Sequence, residues 1–69
     1  MDILKRFGQK VRKIRTQKGL SQERLAELSG IHRTYISSLE LGKRNVSLMN
    51  VEVLAKALRV SPDELLNKE

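Results

Sequence analysis

Apolar residues recur along the chain at spacings of three and four, and no stretch alternates apolar and polar residues as a half-buried strand would. The pattern therefore predicts an all-α protein of five helices. We expect a first helix over about residues 3–18 with Asp2 as its N-cap, a second over residues 22–29 and a third over about residues 33–41.

Serine and glycine residues mark the expected helix ends. Ser21 and Ser47 precede the second and fourth helical stripes, where a serine hydroxyl can accept a bond from a free N–H of the first turn. Ser61, Pro62 and Glu64 stand at the N-cap, first and third positions of a short fifth helix. Three glycines are expected to end the first three helices: Gly19, Gly30 and Gly42.

Each stripe predicts an inward face. The expected inward residues are Phe7, Val11 and Ile14, then Leu25, Ala26 and Leu28, then Ile36 and Leu39, and finally Val51, Leu54, Ala55 and Leu58. Gly8 lies within the first stripe, where a glycine costs a helix about 1 kcal/mol relative to alanine. We therefore expect a neighbouring segment to pack closely against Gly8.

Length and composition limit the protein to a few classes. The 69 residues suffice for one domain, residues 1–69, with a modest core. They include no cysteine, which excludes disulfides and thiolate metal sites and favours a cytoplasmic location. No apolar run approaches the roughly 20 residues that span a membrane, and the first residues lack the apolar region of a signal peptide.

Positive charge is concentrated in the first two thirds of the chain. Residues 1–48 contain 11 lysines and arginines against 4 acidic residues, a net charge of +7. Residues 49–69 contain 3 against 4, a net charge of −1. The basic part fits a polyanionic partner, although charge alone fits an ordinary soluble protein equally well.

The spacing of four residues indicates a helix-turn-helix over about residues 21–41. Ala26 supplies a small side chain where two steeply crossing helices meet, and Gly30 supplies the left-handed position of a short turn. Ile36 and Leu39 bury one side of the third helix and leave its other side free to enter a groove of DNA. The third helix would then be the recognition helix.

Three segments carry a resemblance to a known family: FGQKVRKIRTQKGLSQERLAELSGI, YISSLELGKRN and SLMNVEVLAKALRVSPDELL. Together they resemble the Cro/phage-repressor type of helix-turn-helix regulators, the Xre family, over nearly the whole chain. The resemblance implies a compact five-helix bundle of the lambda-repressor DNA-binding type. The segment HRTYISSLELGKRN also resembles the small controller proteins of restriction-modification systems, which are dimers that regulate their own and neighbouring promoters.

The outward side of the third helix carries the candidate base contacts Arg33, Thr34 and Ser38. Arginine can bond to O6 and N7 of guanine, and threonine can offer its hydroxyl or contact a thymine methyl group. The matching positions of the family contact base edges. We also favour a DNA contact for Tyr35, by stacking or bonding at the backbone, with packing against the first helix as the alternative.

Phosphate contacts are expected on both sides of the third helix. Gln22 begins the second helix, where free N–H groups favour an anion, and the matching glutamine of the family binds a phosphate. Lys43, Arg44 and Asn45 follow the recognition helix and are expected to contact the DNA, the alternative being a solvated basic loop. Lys10 and Arg12 could touch a phosphate, but both are expected on a solvated face.

Two charged residues are expected to serve the structure. Arg15 and Glu40 lie near the apolar stripes, and the family commonly pairs an arginine and a glutamate at these positions. His32, the only histidine, has no second ligand at a usable spacing and is expected to begin the third helix rather than to bind a metal.

Four apolar residues remain once the core stripes are drawn: Met49, Val53, Leu65 and Leu66. They could complete the core, but the near-neutral charge of the chain from residue 49 onward favours a homodimer patch within a dimerisation region of about residues 47–69. The family usually dimerises there. A symmetric dimer would place two recognition helices about 34 Å apart on a palindromic site.

The sequence therefore predicts a sequence-specific transcription regulator that binds double-stranded DNA, without a cofactor or a small-molecule effector. An enzyme is disfavoured because the chain has no cysteine nucleophile, no phosphate-binding glycine loop and a single histidine. A membrane-surface peptide is disfavoured because the apolar stripe of the first helix is needed for the core. An antitoxin-type protein, with the same fold and a protein partner, is the alternative.

Overall fold

Polar caps and glycines divide the chain into helices at the expected places. The computed structural model describes residues 2–67, which form five helices and no strand. The helices are α1 (Asp2–Gln17), α2 (Gln22–Ser29), α3 (Arg33–Glu40), α4 (Leu48–Leu58) and α5 (Pro62–Leu66). None of these helices is long and apolar enough to cross a membrane. The all-α prediction is confirmed, while the last two residues of the predicted dimerisation region, 68–69, lie outside the described residues.

The predicted serine caps are present at the start of α2 and of α4. The hydroxyls of Ser21 and Ser47 accept bonds of 2.9 and 3.1 Å from backbone N–H groups three residues later. At α5 the carboxylate of Glu64 accepts a 2.9 Å bond from the backbone N–H of Ser61. Asp2 is not the N-cap of α1, because it lies within the first turn, where the helix dipole favours its negative charge.

Left-handed residues follow the first four helices. Gly19, Gly30 and Gly42 supply this conformation after α1, α2 and α3, as the sequence predicts. After α4 the position is occupied by Arg59, whose φ is +61°. The left-handed conformation costs a residue with a Cβ roughly 1–2 kcal/mol, so Arg59 stands where glycine would be less strained.

The core lies where the five helices meet. α1 packs against α3 and α5, α2 packs against α3 and α4, and α4 also packs against α5. Leu28 was expected to point inward but is 46% exposed, because it faces the space between α2 and α4 rather than the core. The buried apolar residues are Phe7, Val11, Leu25, Ile36, Leu39, Val51, Leu54, Ala55, Leu58 and Leu65.

α1 and α3 approach each other at backbone distance. A Cβ added to Gly8 would collide with the backbone oxygen of Leu39 and would lie 2.9 Å from the carbonyl of Glu40. A Cβ on Gly42 would lie 2.9 Å from the Cα of Lys5. The close packing predicted at Gly8 is confirmed, and it fixes the C-terminal end of α3 against α1.

Candidate nucleic-acid interface

α3 is anchored by one side and exposed on the other. Ile36 and Leu39 are 0% and 1% exposed, so two residues three positions apart hold the helix in the core. Arg33 and Thr34 lie on the exposed side, and Ser38 is half-buried one turn later. Of the three predicted base-contact residues, Arg33 and Thr34 are therefore accessible to a ligand, and Ser38 is partly accessible.

A buried ion pair joins α1 to the end of α3. Arg15 Nε and Nη2 donate to the two carboxylate oxygens of Glu40 at 2.7 and 3.1 Å, and Arg15 Nη1 donates to the backbone oxygen of Leu20 at 2.7 Å. Arg15 and Glu40 are 8% and 6% exposed. Fork geometry and complete hydrogen bonding offset the desolvation of two buried charges, so the pair can hold the end of α3 against α1.

The same carboxylate holds the first residue of α2. Gln22 Nε2 donates to Glu40 Oε1 at 3.0 Å, which fixes the glutamine side chain beside α3. Its second amide hydrogen and its amide oxygen remain available to a ligand. Gln22 is half-buried and stands at the N-terminus of α2, where backbone N–H groups favour an anion.

Arg12, for which a phosphate contact was the alternative to a solvated face, lies beside Gln22 and the ion pair. A surface depression of about 230 Å³ is lined by Arg12, Gln22 and Ser37 together with the ion pair. Arg12 precedes Arg15 by three residues, so both side chains lie on the same side of α1. That spacing is the signal in the sequence that could have identified Arg12.

Tyr35 connects α3 to the basic loop that follows it. Its hydroxyl donates to the backbone oxygen of Asn45 at 2.7 Å, and the guanidinium of Arg44 lies 5.4 Å from the centre of its ring. The loop also bonds directly to α3, since the backbone N–H of Lys43 donates to the oxygen of Ser38 at 3.0 Å. Lys43, Arg44 and Asn45 are all exposed and are held beside the outward side of α3.

His32 is exposed and immediately precedes α3. It occupies the N-cap position, although its side chain makes no capping bond. Among residues 2–67, no cluster of three or more His, Cys, Asp or Glu side chains could hold a metal ion.

The candidate dimer residues fall into two groups. Met49 is 73% exposed, Leu66 is 45% exposed and Val53 is half-buried, so all three have surface to offer a partner. Leu65 is 1% exposed, and its predicted interface role is wrong because α5 turns this side chain into the core. Leu48 was not among the predicted interface residues, but it is 85% exposed beside Met49.

Comparison with known proteins agrees with this geometry. Residues 11–65 match the family described as helix-turn-helix. Control protein C.BamHI of Bacillus amyloliquefaciens is 58% identical over 62 residues, which are 88% of this chain and 76% of that protein. The crystal structure of the restriction-modification controller protein C.AhdI from Aeromonas hydrophila has a TM-score of 0.92 at 54% identity and covers 94% of this chain and 98% of that one.

A third relative was solved with DNA. The restriction-modification controller protein C.Esp1396I, as a tetramer in complex with its natural 35 base-pair operator, has a TM-score of 0.82 at 36% identity. The match covers 94% of this chain and 96% of that one. The predicted resemblance to controller proteins is confirmed, and these relatives are regulators rather than enzymes.

Proposed function

Because the chain belongs to the helix-turn-helix family, it is a DNA-binding transcription regulator, and we propose that it binds a palindromic operator as a homodimer with α3 in the major groove. The observation that carries this proposal is the exposed position of Arg33 and Thr34 on a helix whose opposite side is fully buried. Gln22 and the loop of residues 43–45 flank that helix, as phosphate-binding groups would.

Base reading is assigned to the outward side of α3. Arg33 has the donors to bond to O6 and N7 of one guanine, while Thr34 and Ser38 can offer hydroxyl groups to neighbouring base edges. Tyr35 holds Asn45 through its hydroxyl, so its role is to position the loop, with the ring edge left to meet the DNA backbone.

Phosphate binding is assigned to groups on both sides of α3. On one side, Arg12 and Gln22 surround a shallow depression at the N-terminus of α2. On the other, Lys43, Arg44 and Asn45 extend from the loop after α3. These contacts fix the orientation of α3 in the groove but carry little sequence information.

Dimerisation is assigned to exposed apolar side chains of α4 and α5: Leu48, Met49, Val53 and Leu66. Leu48 and Met49 are neighbours that are 85% and 73% exposed, and a contiguous exposed apolar patch is typical of an interaction surface. A two-fold axis would place the two α3 helices about one DNA turn, roughly 34 Å, apart. The assembly of C.Esp1396I as a tetramer on its operator supports the further proposal that two dimers of this chain bind two adjacent palindromic sites.

The relatives also suggest a biological setting. We propose that the protein acts in the cytoplasm on promoters of a restriction-modification system, since its relatives C.AhdI and C.Esp1396I are restriction-modification controller proteins. The antitoxin-type alternative is not favoured by these relatives.

Two arginine variants test the division between base reading and phosphate binding. On an operator obtained by selection, Arg33→Ala is expected to reduce discrimination at one base pair of each half-site by about 1–3 kcal/mol. Arg44→Ala should instead weaken binding to all duplexes equally and lower the slope of log affinity against log salt by about 1. The assignment of Arg33 fails if Arg33→Ala weakens matched and substituted operators by the same factor.

A further inference from the structure

A groove of about 640 Å³ lies between α2 and α4, next to the C-terminal end of α1. None of the residues assigned above to DNA contact lines it. Its apolar lining residues are Leu20, Leu28, Val53, Ala57 and the buried Leu58, and Leu28 is 46% exposed. The position of Leu28, which the helical pattern placed in the core, leaves this apolar surface open to solvent.

Every ionisable side chain that lines the groove is cationic: Lys18, Arg24, Lys56 and Arg59. Arg24 is bonded to the exposed Glu27 at 2.9 Å. Within residues 2–67, no carboxylate lies within ion-pair distance of Lys18, Lys56 or Arg59. The groove therefore combines an apolar floor with three cations that form no ion pair within residues 2–67, beside one, Arg24, that does.

Arg59 supports a role for that charge. It is the only residue other than glycine with a positive φ among residues 2–67, and three glycines occupy the equivalent place after α1, α2 and α3. Glycine would relieve the strain but would remove a guanidinium from the groove. A strained residue whose side chain lines a groove indicates that the side chain is used.

We propose that this groove binds an acidic amphipathic segment of another protein. Its apolar residues would accept leucine-like side chains spaced along one face of a helix, and its cations would pair with carboxylates beside them. A DNA backbone would leave the apolar floor without a partner. A second copy of this chain would bring cations against cations, because an isologous contact repeats the same surface.

The groove and the proposed dimer patch share only Val53. Leu28 and Arg59 are not part of the dimer patch. They line the groove from α2 and from the C-terminal end of α4. The inference is therefore independent of how the protein reads DNA, and variants at this end can be tested for peptide binding, self-association and DNA binding separately.

The test uses the full chain and a synthetic helical peptide of roughly 15 residues, with leucine at every third or fourth position and glutamate between them. The matched control peptide has glutamine in place of glutamate. Fluorescence anisotropy is expected to give salt-sensitive binding of the glutamate peptide and binding at least about fivefold weaker for the glutamine peptide. Amide NMR shifts should change near Leu20, Leu28 and Ala57 but not at Arg33 or Thr34.

Two groove variants and one control test whether the cations of the groove contribute to peptide binding. Lys56→Ala is expected to weaken binding of the glutamate peptide by about two- to fivefold, while Lys13→Ala, which removes an equal charge from the exposed face of α1, should change it by less than about twofold. Arg59→Gly should weaken peptide binding without lowering the unfolding temperature. Loss of binding together with intact folding distinguishes a binding role from a structural one.

Three results would overturn the proposal. One is equal binding of the glutamate and glutamine peptides, or equal effects of Lys56→Ala and Lys13→Ala. The second is a fall in duplex DNA affinity for Lys56→Ala that exceeds the fall for Lys13→Ala, which would assign the groove to nucleic acid. The third is a change from dimer to monomer mass in Arg59→Gly, which would assign the groove to self-association.

Discussion

Glu40 accepts hydrogen bonds from the side chains of residues in two other helices, so one carboxylate holds both a residue of α1 and a residue proposed to contact DNA. Arg15 on α1 and Gln22 on α2 bond to it at 2.7 and 3.0 Å. Glu40→Ala would leave the guanidinium of Arg15 buried without its partner and is expected to lower the free energy of unfolding by about 3–5 kcal/mol. Urea unfolding followed by circular dichroism measures this change.

A matched control separates the buried pair from ordinary surface charge. Glu27→Ala removes the partner of Arg24 in an ion pair whose side chains are 57% and 69% exposed, and it should change the stability by less than about 1 kcal/mol. Similar losses in Glu40→Ala and Glu27→Ala would contradict the role given to Glu40. Replacing both partners, as Arg15→Met with Glu40→Leu, should recover stability but not DNA affinity, because Gln22 loses its anchor.

Single side chains also show what the sequence could and could not predict. The burial of Ile36 and Leu39 followed from their spacing, but the opposite outcomes of Leu65 and Leu66 did not, since these neighbours are equally apolar. Which one enters the core depends on how α5 packs against α1 and α4, a tertiary property. The bond of Tyr35 to Asn45 was likewise missed, because its acceptor is a backbone oxygen and leaves no mark in the sequence.

The crossing of α1 and α3 depends on Gly8, because backbone atoms of Leu39 and Glu40 occupy the place of a side chain. Backbone atoms cannot move aside as a flexible side chain can. Gly8→Ala is therefore expected to lower the free energy of unfolding by about 2–3 kcal/mol despite the better helix propensity of alanine. Thermal unfolding measures the loss, with the exposed neighbour variant Gln9→Ala as a control that should change stability by less than about 0.5 kcal/mol.

Substitutions at the left-handed residues that follow α2 and α4 are expected to change the stability in opposite directions. Gly30→Ala should destabilise the protein by about 1–2 kcal/mol, because its left-handed backbone disfavours a Cβ. Arg59→Gly should stabilise it by roughly 0.5–1 kcal/mol, since strain relief exceeds the added entropy of the unfolded chain. Chemical denaturation of both variants checks the signs, and destabilisation by Arg59→Gly would show that Arg59 contributes contacts to the folded state.

Helix boundaries were largely predictable because caps and glycines act locally. The sequence placed α2 correctly, missed both ends of α1 by one residue, and missed the C-terminal end of α3 by one residue. The orientation of Leu28 was not predictable, because α2 has only eight residues and its helical period fits more than one inward face. The contact between α2 and α4 determines the orientation of Leu28. The groove that results therefore could not be predicted from the sequence.

The net charge of the protein is unevenly distributed, since residues 1–48 are basic and the chain from residue 49 onward is nearly neutral. The residues assigned to DNA contact lie within residues 12–45, and the exposed apolar residues assigned to dimerisation lie within residues 48–66. This separation allows two copies to associate without covering α3. It also predicts that DNA binding weakens steeply with salt, while dimerisation changes little.

In the function proposed above, α3 reads DNA sequence as part of a dimer. Selection of binding sites from random duplex DNA, followed by measurement of the mass of the selected complex in solution, determines sequence preference and stoichiometry together. We expect a palindrome with half-sites about one helical turn apart, bound by two chains or by pairs of them. Enrichment of no sequence above non-specific binding, or a selected site bound by a single chain, would contradict the account.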